Sequence, residues 1–152
     1  MKKYVVVAVL FLALLLTAYE INAEENAIRN ARIEILGTQI EEITLQYVKI
    51  KINISIINNG SRSINGLQGD FKIFILNISF GEAHLSKASI KAHSYYITSI
   101  PLKIYYKELA QGIANAIMEG KINVLIKGRI TGKIFFGLLS YSQNIEATRQ
   151  RQ

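Results

Sequence analysis

The stretch Tyr47–Ile57, YVKIKINISII, is compatible with one kind of backbone. Val48, Ile50, Ile52, Ile54 and Ile56 fall on one parity, and Lys49, Lys51, Asn53 and Ser55 on the other. Side chains alternate between the two faces of a β-strand, so this order gives one apolar face and one polar face. A helix would scatter the same apolar residues around its circumference, and β-branched isoleucine favours the extended backbone. Asn58-Asn59-Gly60-Ser61 follows, residues that tolerate positive φ and bond their own backbone in turns. A strand with one greasy face needs other elements to cover it, and the chain around it supplies them.

Arg32–Ile43 places Ile33 and Ile35 on one parity and suits a preceding strand, with Gly37 as a bulge or bend. Gly60–Gly66 is a loop whose Ile64 plugs the core. Leu67–Phe80 carries Phe71, Ile73 and Ile75 on one face and Phe74 and Leu76 on the other, the pattern of a central or doubly covered strand. Gly81 then marks a turn, and His84–Ala92 holds two short strand pieces. Ser94–Ile104 is a further strand, with Ile100, Leu102 and Ile104 inward and Pro101 arguing for an edge position. In Lys107–Glu119, Leu109, Ile113, Ala116 and Ile117 recur at helical spacing, and Gly120 ends the helix. Lys121–Ile130 alternates on Ile122, Val124, Ile126 and Ile130, Thr131-Gly132 turns the chain, and Lys133–Ile145 is the last strand. Residues 146–152 read as a flexible polar tail.

The expected fold is therefore all-β, an antiparallel sandwich of immunoglobulin or fibronectin-III type with about seven strands. One short helix plugs an open end of it. A single helix is too few for a parallel βαβ sheet. The chain has 152 residues, half of them apolar, enough for one domain over residues 32–145 with its own core. It has no cysteine, so no disulfide helps that core.

Ahead of the domain, Tyr4–Ala18 is an apolar run broken only by Thr17. Lys2 and Lys3 precede it, and Glu20, Glu24 and Glu25 follow. Residues 1–23 read as a targeting segment, either a signal peptide cut after Ala23 or a helical anchor with Tyr4 and Tyr19 at the two interfaces. The run is long for a signal core and short of the roughly 20 residues of a spanning helix. Both readings put the domain outside the cytoplasm, secreted or held at the membrane. Residues 24–31 are expected to be a short tether. Three Asn-x-Ser sequons, at Asn53, Asn59 and Asn77, accord with export. Asn59, in a turn, is the best placed of them for glycosylation.

From about Arg32 to Leu139 the chain resembles the WHy (water stress and hypersensitive response) domain of the atypical late embryogenesis abundant proteins. The resemblance rests on KINISIINNGSRSINGLQGDFKIFI, the pair Phe80-Gly81, SIKAHSYYITSIPLKI, the helix KELAQGIANAI and the closing INVLIKGRITGKIFFG. That family commonly has Asn-Pro after the first of these strands; here Asn58 is followed by Asn59. The resemblance implies a β-sandwich that protects other proteins or lipid surfaces during desiccation or similar stress.

No residue pattern points to an enzyme. His84 and His93 are the only histidines, with Glu82 as the nearby carboxylate, a poor set for metal. Glu41-Glu42 and Glu24-Glu25 are adjacent pairs, and neighbours on a strand face opposite ways. Gly128–Gly132 lacks the spacing of a phosphate loop, and no nucleophile elbow occurs. Tyr95, Tyr96, Tyr105, Tyr106 and Tyr141 are candidates for an aromatic patch. The net charge of +7 suggests an acidic partner, but Lys49, Lys51, Lys103, Lys121 and Lys127 lie spread along polar strand faces. They read as a solvated surface that discourages edge pairing, with no nucleic-acid motif beside them. No cofactor and no small-molecule substrate is expected. A cell-surface binding or assembly module is the second reading, using sheet edges or tyrosines to hold a partner.

Overall fold

The computed structural model describes residues 1–109, 111–119 and 123–149. A long helix, α1 (Lys2–Arg29), leads into β1 (Arg32–Ile43), β2 (Tyr47–Asn58), β3 (Ile64–Ile75), β4 (Ile78–Ile90) and β5 (Ser94–Tyr105). A 3₁₀ turn (Tyr106–Glu108) and α2 (Gln111–Met118) precede β6 (Val124–Ile134) and β7 (Leu139–Arg149). All strand pairs are antiparallel, and they form two sheets ordered β1-β2-β5 and β4-β3-β6-β7.

The inward parity of β2 is completely buried, Ile50, Ile52, Ile54 and Ile56 at 0% exposure. It meets Phe71, Ile73 and Ile75 of β3 and Ile126 and Ile130 of β6 in one core. The central strands β2, β3 and β6 carry the buried isoleucines of this core, because both their neighbours and the facing sheet exclude water there. β5, with Pro101 opposite Lys51, is an edge, since proline has no N–H to give a further strand. Gly37 borders a bulge in β1, where Leu36 is the extra residue between the pairs formed by Ile35 and Gly37.

Several expectations change. The run 67–80 is two strands, because Leu76 and Asn77 both adopt positive φ (50° and 67°) and turn Ile75 back onto Ile78. An apolar residue in a two-residue turn hides the hairpin from pattern reading; Leu76 is kept there by packing on the core and by its N–H to Asn123 O. Gly81 consequently lies inside β4, opposite Ile73 and beside a bulge at Phe80. Residues 84–90, expected as two short pieces, belong to the single strand β4, in which Lys87, at φ 40°, falls at a register shift between the Leu85 and Ala88 pairs.

Thr131-Gly132 does not turn the chain; β6 continues to Ile134 and the turn falls at Phe135–Leu138. Residues 24–29, expected to be a tether, are the last turns of α1. Residues 146–149, expected to be tail, are strand, held by β6 and by Arg149, whose guanidinium donates to the Ile35 and Leu36 carbonyls of β1. The helix expected over 107–119 is present as α2, with Ile117 fully buried. Its assigned cap Gly120, Lys121 and Ile122 of the expected strand, and residues 150–152 lie outside the described residues.

Candidate functional site

α1 occupies two environments. Val5, Val6, Val7, Val9, Leu10, Phe11, Leu12, Leu14, Leu15 and Leu16 each expose more than half of their surface. A helix apolar on every side matches hydrocarbon rather than water. At 28 residues it is about 42 Å long, and among the described residues it is the one helix long and apolar enough to cross a membrane. Eleven residues after Leu16 the surroundings reverse: Ala27 is 0% and Ile28 1% exposed, both inside the sandwich core.

Two glycines make this docking possible. A Cβ on Gly60 would stand 2.6 Å from the Ala27 Cα, and one on Gly132 would stand 2.6 Å from the Ile28 Cδ1. Gly132 thus serves close approach, not bending. Polar contacts surround the apolar seat. The Arg62 guanidinium donates to both carboxylate oxygens of Glu20, at 2.8 and 2.6 Å. That carboxylate stabilises the charged guanidinium and raises its already high pKa. The Phe135 N–H donates to Glu24 Oε2 at 2.6 Å, and Arg29 Nε donates to Tyr141 Oη at 3.1 Å.

Beneath the seat, Asn58 is completely buried. Its Nδ2 donates to the carbonyls of Arg62 (2.8 Å), Ile90 (3.2 Å) and Lys91 (3.1 Å), and its Oδ1 accepts the Gly60 N–H at 2.9 Å. One side chain therefore ties the β2–β3 loop to the β4–β5 turn and holds Gly60 against α1. An asparagine supplies both donors and acceptor, which explains this residue type at the end of an apolar parity.

The outer face of the larger sheet carries two cross-strand rows, His84–Asp70–Arg129–Asn144 and Glu82–Lys72–Lys127–Glu146. They border an open depression of about 840 Å³. Its groups mostly satisfy one another: His84 Nδ1 lies 2.5 Å from Asp70 Oδ1, Lys127 Nζ 3.7 Å from Glu146, and Arg129 Nε donates to Asn144 at 3.4 Å.

No family profile matches the chain, and no curated protein matches it by sequence. Solved structures do. The solution structure of AT1g01470 from Arabidopsis thaliana superposes with a TM-score of 0.52 at 16% identity, over 77% of this chain and 79% of that one. The solution structure of a putative late embryogenesis abundant protein of Arabidopsis, At2g46140.1, gives 0.50 at 12% identity over 95% and 87%. The chain shares its fold with a putative late embryogenesis abundant protein. At these identities the likeness is one of architecture.

On this LEA-like sandwich the residues singled out from the sequence are dispersed. His84 is mid-strand, and its partner is Asp70, which the β3–β4 hairpin brings opposite it. Glu82 shares His84's face, because β4 is continuous through Gly81. His93 sits at φ 54° in the β4–β5 turn, beyond the end of β4 and about 20 Å of strand from His84. Among the described residues no group of three or more His, Asp or Glu side chains is placed to hold a metal ion.

Glu41 and Glu42 do reach one face, contrary to simple alternation, because a register shift falls between Ile40 and Glu42. They pair separately, with Lys51 and Lys49, each at 3.5 Å. The tyrosines form no single patch. Tyr105 stacks edge-on with Tyr47 (5.8 Å) under Lys103, while Tyr141 serves Arg29 at the opposite end. Of the sequons, Asn59 and Asn77 are exposed in turns, whereas Asn53 accepts the Ser99 hydroxyl at 2.8 Å within β2. The α1 seat itself went unforeseen, although the doublet Phe135-Phe136 before Gly137 was its visible sign.

Proposed function

We propose that this chain is a non-catalytic, membrane-anchored sandwich of the WHy kind that protects neighbouring proteins or lipid surfaces during water stress. The observation that carries the reading is the fold shared with a putative late embryogenesis abundant protein over nearly the whole chain. Its two sheets, β1-β2-β5 against β4-β3-β6-β7, fit an immunoglobulin or fibronectin-III-like arrangement. What supports anchoring, over cleavage after Ala23, is the seat of α1. The helix runs unbroken through Ile21-Asn22-Ala23, and residues on both sides of that point, Glu20 and Glu24, bond to the domain. Lys2 and Lys3 would stay in the cytoplasm and the domain outside.

The physical means is a stable core beneath an outer face of alternating, mutually paired charges, able to meet many surfaces weakly. Reporter enzymes unrelated to this chain, dried or freeze–thawed with it in vesicles, should keep more activity than with an equal mass of serum albumin. Equal losses would sink the protective reading. Capture of one stoichiometric partner, without protection, would favour an assembly module instead.

A further inference from the structure

The turn between β6 and β7 departs from ordinary turn chemistry. Leu138 N–H closes it on Phe135 O at 3.0 Å, with Phe136 and Gly137 as the central residues. Phe135, Phe136 and Gly137 all have positive φ, at 52°, 55° and 79°. Gly137 suits that conformation; two consecutive phenylalanines do not, and Asn-Gly would relieve the strain. The same turn exposes Phe136 to 94% and Leu138 to 74%. Strain and exposed aromatic surface together are unfavourable in water, and such outliers point to function.

The position of the turn gives it a use. Glu24 Oε2 holds the Phe135 N–H, and the two phenylalanines share a hollow with Leu16, Thr17 and Ile21 of α1. From Glu24 to Leu16 is about 12 Å along the helix axis, and the hollow that the two rings line reaches to Leu16, near the end of the apolar run. That is the depth at which aromatic side chains settle in a membrane interface. The domain cannot swing away from that depth, because Ala27 and Ile28 fix α1 in the core.

We infer that Phe135–Leu139 is a second membrane contact, which dips into the lipid interface around α1 and sets the sandwich upright on the bilayer. The inference rests on the reading of α1 as a retained anchor. The occupant is lipid because the turn lies against α1, among the described residues the one helix long and apolar enough to cross a membrane, at the end where its apolar surface stops.

The chain lacks cysteine, so one introduced thiol reports one place. Full-length Phe136→Cys, Leu138→Cys, Leu12→Cys and Leu45→Cys chains, carrying an environment-sensitive fluorophore, are reconstituted in phosphatidylcholine vesicles. Spin-labelled lipids then quench at shallow or deep positions. Leu45, fully exposed at the far β1–β2 turn, is the solvent control. The expected result is loss of emission at positions 136 and 138 to the shallow quencher, at 12 to the deep one, and at 45 to neither. Quenching at 12 with 136 and 138 behaving like 45 overturns the second contact and leaves the anchor standing. No quenching at 12 removes the anchor and this inference with it. Lipid-independent shielding at 136 that dilution reverses would mean contact with a second copy, and would overturn it too.

Discussion

Arg62, on the loop between β2 and β3, grips both carboxylate oxygens of Glu20 on α1, a residue 42 positions earlier in the chain. The pair spans from the domain to the turn of helix just beyond the apolar run. Both partners are solvent-exposed, so its effect is on orientation more than on stability. Arg62→Ala should leave the melting temperature of the sandwich unchanged, while trypsin cleavage after Arg29 quickens as the helix loosens from its seat. Combining Glu20→Arg with Arg62→Glu should restore the slow cleavage. A single variant as resistant as the parent would show that the apolar seat suffices alone.

The apolar seat should matter far more. Ile28→Ala empties a fully buried position and is expected to cost about 2–5 kcal/mol in denaturant unfolding, although it lies in a helix that composition would call a linker. Gly60→Ala places a methyl group against the backbone of Ala27, which has nowhere to go; the expected loss is about 1–3 kcal/mol. Gly132→Ala meets side-chain atoms of Ile28 and Ile64 rather than backbone and should cost less. The reverse order would displace α1 from the position described.

Asn58 should be irreplaceable by any residue lacking both donors and acceptor. Asn58→Ala leaves the Gly60 N–H and the Ile90 and Lys91 carbonyls without their partner, at a cost on the order of 2 kcal/mol or more. Asn58→Asp should be worse, since it turns an oxygen toward those carbonyls. Asn53→Asp, by contrast, still accepts the Ser99 hydroxyl and should be nearly silent. Circular dichroism melting of the three variants gives the order directly.

Ile52→Asp should abolish folding. Its side chain is 0% exposed, and an unpaired carboxylate there outweighs the roughly 5–15 kcal/mol that holds a domain together. His84→Gln with His93→Gln should shift stability by no more than about 1 kcal/mol, because the His84–Asp70 pair is 72% and 80% exposed. Loss of stoichiometric metal with that double change would overturn the non-catalytic reading.

The alternation of Tyr47–Ile57, the edge position forced by Pro101 and the bulge at Gly37 were legible in the sequence because each is a local matter: a period of two, a missing N–H, a missing side chain. So was the all-round apolar run of α1. The partners were not legible. That Asp70 meets His84 depends on a hairpin whose turn carries Leu76, an apolar residue that local propensity places in a strand. Gly132 reads as a turn until Ile28, more than a hundred residues earlier, is seen to need the space. Residues 24–31 read as a tether because their polarity is averaged over the segment, while three of them, Ala27, Ile28 and Ala31, are buried in a core built from strands far away in the chain. Sequence by itself determined which faces are greasy; tertiary structure alone decided which greasy faces meet, because burial is a property of pairs of surfaces.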